Sequence, residues 1–217
     1  MTMITEGPRA GDYLLSESNG AQSRESAVIA AGAALVAGTV LGQLTKSAPV
    51  LAKVSGTGVA TFGTPTLTKL AEVGVYRIVC TAAVDGGTPA KFSVTSPSGY
   101  ALPELSAATA YTSSHFTLAD TGIPAGTTAW AVADVISLTV TGTGQYIKHD
   151  PDAVTGAEIA VAVLYESVDA AEDIADGVIT ARLAEVDDAA LTWHTDITDA
   201  EKAAAVASLA ARHIIVR

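Results

Sequence analysis

Ile136-Ser137-Leu138-Thr139-Val140-Thr141 places an apolar side chain at every second position. Successive side chains of a strand point to opposite faces, so this alternation describes a β-strand with one buried and one solvated face. The same period recurs upstream: Phe92 and Val94 alternate with Ser93 and Thr95, and Phe116 and Leu118 follow. In Val75-Tyr76-Arg77-Ile78-Val79-Cys80-Thr81, Tyr76, Ile78 and Cys80 share a face.

Turn signals separate these segments: Asp85-Gly86-Gly87, Ser96-Pro97-Ser98-Gly99 and Thr121-Gly122-Ile123-Pro124. Short strands at this spacing predict a β-sandwich of about the size of an immunoglobulin-like domain over residues 48–141. No tandem repeat is present.

The flanks read differently. Residues 27–47 open with the β-prone pieces Ala27-Val28-Ile29 and Thr39 to Leu44, split by a Gly/Ala turn. Residues 142–217 hold a continuous apolar run, Ile159 to Tyr165, a strand candidate from Val178 to Val186, and one helix. That helix starts at Thr198, with Glu201 three residues on to complete a capping box. Val206, Leu209 and Ala210 are expected on its buried face, with Trp193 packed against it, before Ile214-Ile215-Val216 leaves as a strand. Residues 1–26 read as an extended arm without a core of its own, polar except for Tyr13-Leu14-Leu15.

Composition narrows the function. The 217 residues carry a formal charge of -11 with scattered Lys and Arg, which argues against a nucleic-acid partner because phosphate binding needs clustered cations. Only 5% of residues are aromatic, so the apolar surface comes in small pieces. Cys80 is the one cysteine and reads as a core thiol, in keeping with folding in a reducing compartment. Ala27 to Leu44 is uncharged but is broken by Gly32, Gly38 and Gly42 and reads as strands rather than a membrane span. No secretory signal is expected at the start of the chain, where Glu6, Asp12, Glu17 and Glu25 interrupt any apolar run.

No residue constellation calls for a catalytic, cofactor-binding or metal site. His115, His149, His194 and His213 lack ligand spacing. Asp169, Glu172, Asp173 and Asp176 lack the alternation of a calcium loop and read as a solvated acidic turn. His194 with Asp196 could be imagined as a base and its orienting carboxylate, but no activated nucleophile accompanies them. Trp130 and Tyr111 are aromatics of the kind that line sugar sites, and both are expected in the core.

The two ends of the chain resemble a known family. Gly11-Asp12-Tyr13-Leu14-Leu15-Ser16-Glu17-Ser18-Asn19-Gly20, then Ser23-Arg24-Glu25 and Ala37 to Gly42, are similar to the start of the lambda-type phage head decoration proteins. Tyr146 to Pro151, Ala162-Val163-Leu164-Tyr165, Ala184-Glu185-Val186 and Ala210 to Val216 are similar to the C-terminal half of the same family. The pieces cover about half the chain, and their order carries the resemblance.

The resemblance implies a mainly β chain with one C-terminal helix (α+β). Its β-rich body, residues 27–47 and 142–217, would be interrupted by the sandwich at a hairpin tip, where added length costs only slowly growing loop entropy. It further implies a structural role without enzymatic activity on the outer surface of a virion, after synthesis in the host cytoplasm. Expected partners are the major capsid protein and the chain itself, as a homotrimer at three-fold positions; no nucleic acid and no membrane are expected. Capsid contacts are assigned to the arm residues Tyr13, Leu14, Leu15, Ser23, Arg24 and Glu25. The competing expectation is a surface module whose inserted domain binds host or environmental glycans.

Overall fold

The computed structural model describes residues 7–46 and 49–217. The outermost six residues of the expected arm, and the expected boundary between body and sandwich at 47–48, lie outside the described residues. The chain is mainly β, and among the described residues the one long helix lies near the C-terminus. It divides into two compact units, residues 1–44 with 144–217 and residues 45–143.

The first unit is built on a closed five-stranded barrel. Its strands, in order around the barrel, are Tyr146–Lys148, Arg24–Ile29, Ala175–Thr180, Ala160–Leu164 and Val40–Gln43, the last pairing back to the first. Closure removes every free edge. Ala160–Leu164 is buried along its whole length, the outcome its unbroken apolar run predicts for a strand covered on both sides. Ala162 and Leu164 join Ile29, Leu41 and Ile179 in one core, while Ala160 and Val163 face a second core with Tyr13, Val186 and Leu209. Gly42 is where the barrel is tightest: a Cβ there would stand 2.5 Å from the Ala157 carbonyl oxygen, so no other residue fits.

The second core is roofed by a three-stranded sheet, Leu14–Glu17, Ala184–Val186 and Ile214–Val216, and by the helix Asp199–Ala210. Thr198 caps the helix with both bonds of the capping box in place. The buried face is Ala205 and Leu209, one turn apart; Val206 is half-buried and Ala210 exposed, so the apolar stripe lies one residue round from the expected one. The expected strand from Val178 to Val186 is also two strands. Ala181 N–H leaves the barrel ladder to donate to the Ser23 carbonyl, Leu183 turns the chain at φ +53°, and Ala184–Val186 continues in the other sheet.

Strands Val40–Gln43 and Tyr146–Lys148 pair with each other, and beyond them Leu44 N–H donates to the Gln145 carbonyl while Gly144 N–H donates to the Leu44 carbonyl. Residues 45–143 therefore leave and re-enter the first unit at two adjoining points. They form a five-stranded antiparallel sheet, in the order Val50–Ser55, Val135–Val140, Gly74–Ala82, Lys91–Thr95 and Ala101–Ser106. A three-stranded sheet of Tyr111–Thr112, Phe116–Leu118 and Thr66–Leu67 shares its core. Ile136, Leu138 and Val140 point into that core, as their alternation predicts, beside Tyr76, Ile78, Cys80, Phe92 and Trp130.

Candidate interaction surface

The N-terminal segment is woven into the first unit, which corrects the expectation of an arm lacking a core. Gly11 adopts φ +76° and donates its N–H to the Tyr165 carbonyl, which turns the chain so that Tyr13 enters the interior. Tyr13 is 1% exposed, its hydroxyl 2.6 Å from Thr180 Oγ1. Burial pushes the phenol well above its ordinary pKa, so it stays protonated. Leu14 packs half-buried against the same core.

Ser16 and Glu17 pair with Glu185 and Ala184, and a register shift between Leu14 and Ser16 throws Leu15 out of the ladder to 57% exposure. After it, Asn19 caps the short helix Gly20–Ser23, and Ser23, fully buried, donates to Glu17 Oε2 at 2.6 Å. Arg24 pairs with Glu17 through two nitrogens and lies 3.8 Å over the Tyr165 ring. The guanidinium holds the Glu17 carboxyl below the usual carboxylate range. Glu25 pairs with Arg182.

Of the six residues assigned to capsid contact, then, Tyr13 and Ser23 are interior, Leu14 is half-buried, and Arg24 and Glu25 are in ion pairs within the chain. Among the described residues of the segment, Leu15 is the large apolar side chain left exposed. Leu183, 42% exposed at its left-handed turn, lines a shallow depression of about 380 Å³ with Ser16, Glu185, His213 and Ile215. Sequence reasoning missed Leu183, because its run read as continuous strand and nothing marks a left-handed Leu. Tyr165, which fastens both Gly11 and Arg24, was legible only as the end of an apolar run.

The remaining chemistry-bearing residues do not assemble. His194 Nδ1 accepts a 3.4 Å hydrogen bond from the Asp196 backbone N–H, so it is the amide, not the carboxylate, that meets the ring. Asp169 Oδ1 closes its own turn on Ala171 N–H, and among the described residues no His, Cys, Asp or Glu cluster could hold a metal ion. Trp130 donates to the Pro124 carbonyl from inside the core of the second unit, and Tyr111 is buried there too, so neither offers a face to a sugar. No helix among the described residues is long and apolar enough to cross a membrane; within Ala27 to Leu44 lie strands instead.

Comparison with known families gives one match. The family model for the bacteriophage lambda head decoration protein D aligns with residues 3–98 and 101–214, nearly the whole chain and well beyond the two ends that carry the resemblance in the sequence. No curated protein and no solved structure matches. The woven N-terminal segment, the barrel strands and the capped C-terminal helix all lie in matched residues, and the chain belongs to the lambda-type phage head decoration protein family.

Proposed function

We propose that this chain is a structural protein that binds the outer surface of a tailed-phage head as a homotrimer at three-fold positions and stabilises the mature shell. Family membership over nearly the whole chain carries this reading. Attachment through three linked subunits multiplies a modest single contact, because the second and third contacts form at high effective concentration. The contact surface is centred on Leu15 and Leu183, exposed apolar residues that in the chain precede Glu17 and follow Arg182, each held in an ion pair. Synthesis takes place in the host cytoplasm and the protein joins the shell from outside.

Co-sedimentation with heads lacking this protein tests the reading. The full chain is expected to pellet saturably with heads, and the Leu15→Asp and Leu183→Asp variants to bind at least tenfold more weakly. Both positions are exposed, so the variants keep the fold, whereas deleting the segment would remove Tyr13 from the core. Equal binding by all three proteins excludes the proposed surface, and no pelleting of the full chain excludes decoration.

A further inference from the structure

The five-stranded sheet of the second unit ends on an edge strand that has no described partner on its outer side. Val50–Ser55 pairs with Val135–Val140 on one side, and no described strand pairs with the other. Five of its six residues are exposed, Val50 at 59% and Val54 at 63%. The outer face of the strand continues an apolar surface: Val54 lines a concavity with Val75, Val135 and the stem of Arg77, and Val50 and Ala52 lie opposite Thr139 and Ser137. Natural edge strands are ordinarily blunted by charge, proline or a bulge; this one carries Lys53 and a register shift between Lys53 and Ser55, which leaves Val50 to Lys53 in regular pairing.

Charge leaves a second copy of this chain free to be the occupant. Lys46, Lys53, Lys69, Arg77 and Lys91 are balanced one for one by Glu72, Asp85, Glu104, Asp120 and Asp134, so the second unit is net neutral. The whole formal charge of -11 falls on the first unit. The first units of two copies repel one another, whereas their second units carry no net charge against each other. The strand is also self-complementary. In an antiparallel register centred on Ala52, Val50 of each copy faces Val54 of the other on the outer face, and Leu51 faces the stem of Lys53 on the inner face.

We propose that Val50–Ser55 pairs with the same strand of a second copy, joining two five-stranded sheets into one. A six-residue edge contact buries far less than the roughly 800 Å² per partner of a stable complex. It is therefore weak in free solution and becomes effective where copies are held side by side, which rests on the decoration reading. Its role there is to tie neighbouring decoration sites together above the shell.

Disulfide trapping in the full-length protein tests the pairing without any head, so its outcome is independent of capsid binding. With buried Cys80 retained, Ala52→Cys is expected to form dimers under mild oxidation at least tenfold faster than Ser93→Cys, an exposed position in mid-sheet. Adding Val50→Lys and Val54→Lys, which sets lysines against each other in the proposed register, should return the rate to that of Ser93→Cys while Trp130 emission stays native. Equal rates for Ala52→Cys and Ser93→Cys, or trapping indifferent to the two lysines with native emission, overturns the proposal.

Discussion

Tyr13 and Thr180 meet hydroxyl to hydroxyl at 2.6 Å inside the first unit, joining an N-terminal segment to a barrel strand 167 positions away. This bond makes the segment part of the fold rather than an appendage. Tyr13→Phe keeps the ring but orphans the Thr180 hydroxyl and should cost about 1–3 kcal/mol. Tyr13→Ala also opens a cavity and should cost about 3–5 kcal/mol. Denaturant unfolding followed by Trp193, the tryptophan of the first unit, measures both, and a Tyr13→Ala protein as stable as the parent would return the segment to the status of a loose arm.

Asp134 organises the second unit in a comparable way. Its carboxylate accepts N–H groups from Thr57, Gly58 and Ala131 at 2.9–3.1 Å while only 3% exposed. Burial alone would raise its pKa, but these donors, with Lys53 nearby, outweigh burial and hold it below the ordinary value. A depressed carboxyl pKa stabilises the fold above the unfolded value and loses that contribution as the pH falls through the folded one. Asp134→Ala should cost about 3 kcal/mol or more, since each orphaned donor costs about 1–3 kcal/mol. Trp130 emission should report the loss while Trp193 stays unchanged, and the variant should show a shallower acid limb below about pH 4 than the parent, with Glu72 supplying what remains.

His149 gives the first unit a pH dependence of its own. It is 2% exposed, and its Nδ1 has no hydrogen-bond partner. Burial is the main cause that lowers its pKa, helped by His194; the Glu158 backbone, Asp150 and Glu201 act against it and are outweighed. Below about pH 6.5 the unfolded chain takes up a proton that the folded chain refuses, so stability falls as the pH drops from 7 toward 5.5. His149→Leu should flatten that slope in Trp193-monitored unfolding, and an unchanged slope would assign it to other groups.

Much of this fold was legible in the sequence, for identifiable reasons. The alternation of Ile136, Leu138 and Val140, the unbroken run of Ala160–Leu164 and the Thr198–Glu201 capping box are local patterns with local causes, and each element stands where its pattern places it. What the sequence hid is non-local. Tyr13 and Arg24 read as capsid contacts until Thr180 and Gly11 are seen to bring the first inside and Glu17 and Tyr165 to engage the second. Leu183 gives no warning of its left-handed turn, because glycine or asparagine ordinarily marks such a site. The side chains assigned from the sequence to capsid contact therefore mostly face inward or pair within the chain.

A density map of heads from the phage that carries this chain, with and without the protein, tests the decoration reading most directly. The account predicts added density outside the shell at the three-fold positions, three copies to each, with Leu15 and Leu183 turned toward the capsid protein. Density confined to the tail, to the inner face of the shell or to neither would contradict it.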